Sequence, residues 1–536
     1  MAVTPEARPT GRALVAIFGG LMLGMFLAAL DQTIVSTALP TIAGDLGGLD
    51  HLSWVVTSYL LASTASAPLY GKLGDMYGRK PVFLAAIVIF LGGSVLAGAS
   101  QSMGELVGFR ALQGIGAGGL MVGAQAIIGD LVSPRERGRY MGLIGAVFAV
   151  ASVAGPLLGG FLVEQLSWRW VFYVNMPVGA LALVIVWLRL RLPARTRRHR
   201  IDYLGAALLT GGVSALVLLT TWGGTEYPWG SPVIIALGAA GLALLAAFVG
   251  QERRAAEPVV PLKLFRSGIF RVSSAMAFVV GFAMFGAIVL LPLYLQLVYG
   301  ASPTSSGLRM LPLMAGLLVA SVGSGRIISR IGRYKAFPIV GTATLTVGMF
   351  LLSRLEADTA PWIASAYMLV VGLGIGLVMQ VLVLVVQNDA PAEDIGVATS
   401  TATFFRSVGG SFGVAVFGAI FASKLADELG RLPAAATSRL GAGVHLNPAE
   451  AAQLPPVIHA QFLTAFSNAL DSVFLWGAPI ALAAFVLSWL LKEAPLRDTV
   501  HGPAVEEALA GGAGSEALAD PRLRGPAPSP GAVAGS

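Results

Sequence analysis

Long runs without charge alternate with short charged segments along most of this chain. A membrane-spanning α-helix needs about 20 mostly apolar residues, and fourteen runs of roughly that length can be counted. The pattern therefore predicts an all-α integral membrane protein with fourteen transmembrane helices. The predicted spans are residues 13–30, 52–71, 82–104, 111–129, 140–163, 170–188, 203–225, 227–251, 272–308, 305–325, 336–353, 362–388, 395–423 and 472–491.

The composition agrees with a membrane protein and excludes several kinds of site. Of the 536 residues, 56% are hydrophobic and only 12% are charged, and the mean hydropathy is +0.78. A soluble domain carries about 25% charged residues. The absence of cysteine excludes disulfides and thiol chemistry. The five histidines lie outside the strongest apolar runs, so no metal site is expected.

The basic residues account for the net charge of +7 without a nucleic-acid partner. They concentrate in alternate loops, as cytoplasmic loops of membrane proteins do. This bias predicts an even number of spans with both termini in the cytoplasm. The preference for Arg over Lys, with abundant Ala, Gly and Pro, is typical of a GC-rich genome, and we expect the bacterial cytoplasmic (inner) membrane. The largest internal clusters lie at residues 72–80, 135–139, 189–200, 253–271 and 326–335.

An internal repeat predicts two similar halves. Gly-Ile-Gly at residues 114–116 recurs at 374–376, and a second set of four residues recurs at an offset of 254. That set is Gly71, Lys72, Gly78 and Arg79, which correspond to Gly325, Arg326, Gly332 and Arg333. A parallel repeat of this kind is typical of the major transporter plan in which two six-helix halves are related by an axis along the membrane normal. The predicted parts are a cytoplasmic N-terminus at 1–12, six-helix halves at 13–200 and 253–494, two inserted helices at 201–252, an external loop at 424–465 and a disordered cytoplasmic tail at 495–536.

Two charged residues interrupt otherwise apolar spans in the first half. Asp31 follows an 18-residue uncharged run, and Arg110 lies in GELVGFRALQGIGAGGLM. A charged side chain inside a membrane costs about 2.5–3.5 kcal/mol on insertion scales, and such residues commonly serve function. We expect Asp31 to bind and release a proton and Arg110 to be its partner. The alternatives are an acid that caps its helix in the interface and an arginine that extends to the membrane surface.

The segment GKLGDMYGRKP, residues 71–81, is predicted to be a conformational latch. Its glycines allow a sharp turn, and Pro81 fits the first turn of the next helix. Asp75 and Arg79 can pair across helix ends, with Asp130 as a further partner. The repeat has Ser329 where Asp75 would fall, so we expect an asymmetric latch. The alternative is charge that serves topology alone. The latch candidates are Gly71, Asp75, Gly78, Arg79, Asp130, Gly325, Arg326, Gly332 and Arg333.

Small residues and a proline interrupt the fifth predicted span. The run GAVFAVASVAGPLLGG includes Gly155-Pro156, and proline removes a hydrogen bond from a helix. One interpretation is a tightly packed, kinked helix. The other is a hinge that controls the side to which a cavity opens, formed by Gly145, Gly155, Pro156, Gly159 and Gly160.

Together these motifs resemble the major facilitator superfamily, and in particular its fourteen-span drug:proton antiporters. GKLGDMYGRKP is similar to the loop signature between helices two and three, FRALQGIGAGG to the helix-four motif associated with proton transfer, and GPLLGG to the helix-five motif of antiporters. LDQTIVSTALP and WRWVFYVNMPVG are also similar to that family. The resemblance implies export by alternating access, with Asp31 as the protonation site, Arg110 as its partner and Gly155-Pro156 as the hinge. The candidate substrate-cavity residues are Gln32, Gln113, Gln380, Gln387 and Arg406.

The predicted function is a proton-coupled antiporter that exports lipophilic or amphipathic compounds. An exporter dedicated to one natural product or lipid shares the mechanism and differs in specificity. A proton-coupled importer of a polar nutrient would need several paired charges in the membrane, and a sensor or scaffold would need none. No GxxxxGK[ST] loop is present, so ATP-driven transport is not expected. We expect a monomer without enzymatic activity, with protons as the coupling ion, no other cofactor, and a small molecule and the lipid bilayer as partners.

Overall fold

The computed structural model describes residues 12–46, 52–190, 202–224, 226–431 and 455–497. Within these ranges the chain is helical, and the pairing of Gly223 with Tyr227 is an isolated bridge rather than a strand. The first eleven residues of the predicted N-terminus and residues 498–536 of the predicted tail lie outside the described ranges, as do residues 432–454 of the predicted external loop.

The first half contains five long helices, one short helix and one of intermediate length. They are α1 (Arg12–Leu46), α2 (Leu52–Tyr77), α3 (Arg79–Ala99), α4 (Met103–Leu131), α5 (Pro134–Gln165), α6 (Trp170–Tyr173) and α7 (Asn175–Arg189). Serine side chains begin two of them, because the Oγ atoms of Ser102 and Ser133 accept hydrogen bonds from free backbone N–H groups in the first turns of α4 and α5.

Two helices follow and pack against each other beside α2. They are α8 (Tyr203–Trp222) and α9 (Pro232–Glu252). The second half then contains α10 (Gly268–Val298), α11 (Pro303–Arg309), α12 (Leu311–Ile331), α13 (Ala336–Leu352), α14 (Pro361–Asp389), α15 (Ile395–Gly430) and α16 (Pro456–Leu490).

Twelve helices of the described chain are long and apolar enough to cross a membrane. The count of fourteen is not confirmed by this measure, since α2 and α13 do not meet it. Helix α2 carries many hydroxyl residues together with Lys72 and Asp75, and α13 is an apolar helix of 17 residues. Both nevertheless pack within the bundle, α2 along α4 and α13 along α14.

Several helices extend beyond the predicted spans. The first span was predicted to end at Leu30, whereas α1 continues to Leu46, so Asp31 lies well inside a helix. Helix α15 continues to Gly430 and α16 begins at Pro456, so both ends of the predicted loop at 424–465 are helical, while its external position stays a prediction. The spans were predicted from the intervals between charged residues, and these intervals indicate only which residues avoid water. A helix continues through a charged residue where a partner or the interface accommodates the charge.

The predicted disorder from residue 495 is also wrong for three residues. Leu496 is buried, Asn388 donates a hydrogen bond to the carbonyl oxygen of Pro495 at 3.3 Å, and the Arg497 guanidinium donates to the carbonyl oxygen of Ala390 at 3.2 Å. The end of the described chain therefore covers the end of α14.

The two halves meet through equivalent helices. Helix α5, the fifth long helix of the first half, packs on α12, and α2 packs on α15. Both contacts are close because small residues face each other. A Cβ at Gly142 would lie 2.6 Å from the carbonyl oxygen of Ser321, and one at Gly71 would lie 2.7 Å from that of Gly396. We call the end of the bundle that holds residues 71–81, 132–139 and 326–335 the basic end.

Candidate functional site

A carboxylate and a guanidinium pair inside the first half. The side chains of Asp31 on α1 and Arg110 on α4 are 0% and 1% exposed, and Arg110 Nη1 donates to Asp31 Oδ2. Two amides complete the site, since Gln113 Nε2 and Asn175 Nδ2 donate to Asp31 Oδ1 at 2.7 and 2.9 Å. Helix α4 and the start of α7 thus supply the donors around the one carboxylate on α1.

Ser94 on α3 links the two amides. Its Oγ accepts from Gln113 Nε2 at 3.0 Å and from Asn175 Nδ2 at 2.9 Å, and it donates to the carbonyl oxygen of Phe172 at 3.0 Å. Both amides are therefore oriented with their NH₂ groups toward Asp31. Each of these contacts presents an N–H donor to an oxygen of Asp31.

Aromatic and backbone groups from α2 hold Arg110. Its guanidinium carbon lies 4.2 Å from the centre of the Tyr59 ring, and its Nε donates to the carbonyl oxygen of Val55 at 3.1 Å. Tyr59 is itself positioned by a 3.0 Å hydrogen bond from its hydroxyl to the carbonyl oxygen of Ala28. A change in the charge of Asp31 would consequently alter the contacts between α1, α2 and α4 together.

Glycines allow these helices to approach closely. A Cβ at Gly93 would lie 2.6 Å from the backbone nitrogen of Gln113, and a Cβ at Gly114 would overlap the backbone of Tyr59. A side chain at either position would separate α4 from its neighbours and lengthen the hydrogen bonds to Asp31.

The predicted site residues divide between this network and other places. The structure brings Asp31 and Arg110 together, and it places Gln113 in their network, not in a cavity as we had expected. Gln32 is half-buried, next to Asp31 in the chain. Sequence reasoning missed Ser94 and Asn175. The one signal that could have found Asn175 is its place in WRWVFYVNMPVG, a segment similar to the family.

The predicted hinge lies directly against α1 beside this network. A Cβ at Gly155 would lie 2.6 Å from Thr33 Cβ, and one at Gly159 would lie 2.8 Å from the carbonyl oxygen of Ile34. Thr33 Oγ1 also donates to the carbonyl oxygen of Ala151 at 3.0 Å. Helix α5 thus packs on α1 within one turn of Asp31.

The other hinge candidates have different surroundings. Pro156 lies inside the uninterrupted helix α5, and Gly160 is half-buried. Gly145 faces the second half, where a Cβ would lie 2.6 Å from Ser321 Oγ. Helix α5 therefore contacts Asp31's helix and the opposite half at once.

Replacing Gly155 with Ala is expected to destabilise the protein. The new Cβ would overlap Thr33, and overpacking of this kind costs about 1–3 kcal/mol. The purified variant should show a lower Tm in a fluorescence melt. Gly92→Ala on α3 is the matched control, because nothing lies within 4 Å of a Cβ there. Equal melting of both variants would contradict a tight contact between α1 and α5.

At the basic end, Arg79 lies between two carboxylates. Its Nη2 bonds to Asp75, its Nε donates to Asp130 Oδ2 at 2.9 Å, and its Nη1 donates to the carbonyl oxygen of Gly71 at 3.3 Å. Gly78 has φ +94°, which lets the chain turn between α2 and α3. The predicted residues 71–81 and Asp130 are therefore gathered around one buried guanidinium.

The carboxylate of Asp75 also crosses to the second half. Its oxygens accept from the backbone N–H groups of Gly396 and Val397, at 3.3 and 2.8 Å, at the start of α15. A carboxylate at a helix N-terminus satisfies free N–H groups and meets the positive end of the helix dipole. Asp75 thus joins α2, Arg79 and α15.

A second ion pair holds the same end of α15. Lys263 Nζ lies 2.8 Å from Asp394 Oδ2 and 3.5 Å from Glu393 Oε1. The hydrogen bond to Asp394 raises the pKa of Lys263 above its ordinary value. The start of α15 is therefore held by Asp75 on one side and Lys263 on the other.

The repeated residues in the second half do not form an equivalent latch. Arg326 and Arg333 are exposed, and in the described chain neither contacts a carboxylate. Gly325 packs against the backbone of Gly138, and Gly332 ends α12 with φ +69°. Position 329 holds a serine, so no acid of α12 pairs with Arg333 as Asp75 pairs with Arg79.

The contact of Asp75 with α15 is one junction between the halves. Arginines from the first half form a second junction, with the ends of α12 and α14. Arg135 donates to the carbonyl oxygens of Ser329 and Arg330 at 3.1 and 2.9 Å, near the end of α12. Arg137 is buried and donates to the carbonyl oxygen of Gln387 at 3.3 Å. Cations at the C-terminal ends of helices meet the negative end of the dipole, so the two junctions use opposite helix ends and opposite charges.

Amide side chains join the halves next to this junction. Gln387 on α14 donates to the carbonyl oxygen of Gln125 at 3.0 Å and to Thr399 Oγ1 at 2.9 Å. The other predicted cavity residues of the second half lie deeper. Gln380 is buried, and Arg406 lines a small cavity with Val280 and Met379.

Comparisons with known proteins agree with this architecture. A family model described as Major Facilitator Superfamily matches residues 21–414. The uncharacterized MFS-type transporter Rv1877 of Mycobacterium tuberculosis is 46% identical over 488 residues, covering 91% of this chain and 71% of that protein. Multidrug transporter protein MdtP of Bacillus subtilis is 36% identical over 517 residues, covering 92% of this chain and 95% of that protein. The crystal structure of the human organic anion transporter MFSD10 has a TM-score of 0.62 at 16% identity and covers 89% of this chain and 100% of that one, a likeness of fold alone.

Proposed function

The chain belongs to the major facilitator superfamily, and we propose that it is a proton-coupled antiporter that exports lipophilic and amphipathic compounds by alternating access. It would be a member of the fourteen-span drug:proton antiporters, with α8 and α9 inserted between two six-helix halves. Helices α2 and α13 would supply the spans beyond the twelve that meet the length and hydropathy measure. Both termini and the basic end would lie in the bacterial cytoplasm, following the positive-inside rule.

The buried pair of Asp31 and Arg110 carries the proposal. A pair without access to water is weak support for stability, because the cost of removing two charges from water offsets their attraction. The position of the pair between helices instead suits the coupling of proton binding to helix movement. Protonating Asp31 would leave Arg110 without a counter-charge, and Arg110 is held by α2 and α4 while Asp31 belongs to α1.

Alternating access follows from the contacts of α5. This helix packs on α1 beside Asp31 and on α12 in the opposite half, so a shift of α1 on proton binding would change the α5–α12 contact. Breaking the junctions at Asp75 and Arg135 would then open the basic end to the cytoplasm. Release of the proton there would accompany substrate binding, and the return step would release substrate outside.

The printed names of relatives favour broad specificity. MdtP is named a multidrug transporter, and Bacillus subtilis Multidrug resistance protein 3 is 37% identical over 485 residues. A single chain that spans both halves fits a monomer, and proteins of this family are transporters, not enzymes. Protons are the only cofactor the mechanism needs.

A drug-susceptibility panel in an efflux-deficient host tests the proposal. Expression of the chain should raise resistance to several unrelated amphipathic compounds, and a protonophore should remove that resistance. Resistance to one compound would instead indicate a dedicated exporter. Unchanged susceptibility at verified membrane expression, together with no protonophore-sensitive transport in everted vesicles, would refute export.

A further inference from the structure

Arg406 differs from the other arginines inside the bundle. It lies eleven residues after the start of α15, which places it about 17 Å along the helix and near the middle of the membrane. Arg79 and Arg110 contact carboxylates, and Arg137 contacts carbonyl oxygens. Within the described residues, Arg406 has no carboxylate and no hydrogen-bond acceptor in contact with its side chain.

The surroundings of Arg406 are apolar and belong to three helices. The small cavity beside it is lined by Val280 of α10, by Met379 and Leu382 of α14 and by Ala402 of α15. Flexible and small side chains of this kind accommodate varied apolar surfaces. The cavity thus combines an apolar wall with one half-buried cation, and in this conformation it has room for no more than about one water.

This cavity adjoins the boundary between the halves. Thr403, on the next face of α15, reaches Gln125 of α4 in the first half at 3.5 Å. Gln380 follows Met379 on α14 and lies about one turn before Val383. It is 3% exposed, and neither its amide oxygen nor its nitrogen has a partner in the described chain. Buried polar groups are normally paired, so unpaired groups beside the proposed transport path point to a partner that comes and goes.

The nearby acids are already engaged. Asp31 is bound by Arg110, while Asp75 and Asp130 are bound by Arg79. Asp471, a half-buried acid of the second half, lies on α16 within electrostatic range of Arg354 and Glu356 at the end of the bundle opposite the basic end. The only uncompensated charge at this depth of the described bundle is therefore positive.

We propose that this cavity widens during the transport cycle and then selects amphipathic anions, and that Arg406 supplies the counter-charge for a carboxylate or sulfonate on the exported compound. An unpaired cation inside a membrane is unfavourable, and an anionic group would relieve that cost while its apolar portion contacts Met379 and Val280. A cationic drug would meet repulsion and find no free carboxylate. This substrate class rests on the proposed export function and concerns the same transport path.

Two fluorescent probes with one ring system test the proposal. 8-Anilinonaphthalene-1-sulfonate carries a sulfonate, and N-phenyl-1-naphthylamine is the same molecule without it. Binding to the purified chain in nanodiscs, corrected for empty nanodiscs, should favour the sulfonate probe in the wild type. Arg406→Gln should weaken its binding at least tenfold, because a charge-assisted hydrogen bond is lost, and should leave the neutral probe within about twofold.

Two further variants separate charge from structure. Arg406→Lys should retain much of the sulfonate binding, since it keeps the positive charge. Arg354→Gln, an exposed arginine near the opposite end of the bundle, should change neither probe. If Arg406→Gln weakens both probes equally, or neither, the anion site is refuted; the neutral probe and the Tm report whether the variant is folded.

Transport of the same probes separates this inference from the proposed function. Everted vesicles with the wild-type chain should take up both probes in a protonophore-sensitive manner. Vesicles with Arg406→Gln should lose uptake of the sulfonate probe. Uptake of the neutral probe alone by the wild type would overturn the anion preference and leave export standing. No protonophore-sensitive uptake of either probe, or of any compound from the susceptibility panel, would overturn the export function itself.

Discussion

Asp31→Asn is expected to abolish protonophore-sensitive export while the chain remains inserted in the membrane. Asparagine has nearly the same shape, but it cannot gain or lose a proton in the physiological range and cannot neutralise Arg110. Removing one partner of a buried pair costs about 3–5 kcal/mol, because the other charge stays buried. Tyr59 and the carbonyl oxygen of Val55 would compensate part of this loss. Uptake of a transported dye into everted vesicles, energised by respiration, measures the effect.

The same vesicles provide the control for coupling. Exchange of labelled for unlabelled substrate needs no net proton movement, so Asp31→Asn should retain it. Asp45→Asn changes a second acid on the same helix, at a half-exposed position near Trp168 and Arg169, and should transport normally. Full energised uptake by Asp31→Asn would contradict its role in proton coupling.

Asp75→Asn is expected to open the basic end and to slow turnover more than it weakens substrate binding. The change removes the charge that holds both Arg79 and the N-terminus of α15. Loss of a charged group at a helix N-terminus costs up to about 2 kcal/mol in partly buried geometries, which shifts an equilibrium between two conformations by up to about thirtyfold. The population of the closed conformation relative to the open one should fall by that factor.

Cysteine labelling measures this opening directly, because the native chain has no cysteine. Ser400→Cys places a thiol at a fully buried position against Gly71, between the halves. Its reaction with a membrane-impermeant maleimide in everted vesicles should be at least tenfold faster when Asp75→Asn is added.

Asp130→Asn is the graded comparison for the latch. Asp130 contacts Arg79 from within the first half, so its loss should accelerate labelling less than the loss of Asp75. Equal acceleration by both variants would mean that the bonds to α15 do not hold the basic end closed. A larger effect on substrate affinity than on turnover would contradict the latch itself.

The buried charges of the first half could be found from the sequence because they interrupt apolar runs. Asp31 and Arg110 stand out at 79 residues apart, and their pairing follows from the cost of leaving either alone. Ser94 and Asn175 do not stand out, since spans of this chain contain many uncharged polar residues. Gln113 was assigned to a cavity because the face of α4 that it occupies depends on where α1 and α3 cross.

The second junction shows a different limit. The repeat placed Arg326 and Arg333 among the latch candidates, whereas the structure uses Arg135 and Arg137 at this junction. Repeated residues report common ancestry of a segment, whereas a contact needs a partner. Ser329 supplies no carboxylate, so the guanidinium groups come from the other half and bind carbonyl oxygens at helix ends.

The sequence by itself determined that this chain is a helical membrane protein with a repeated turn and two charged residues inside its first half. Hydropathy and charge belong to single residues and their neighbours along the chain, so they can be read without coordinates. Only the tertiary structure decided which polar groups meet: the amides around Asp31, the bond from Asp75 to α15 and the solitary position of Arg406. These depend on helix crossings between distant segments, and a shift of one residue along a helix turns a side chain by about 100° to another neighbour.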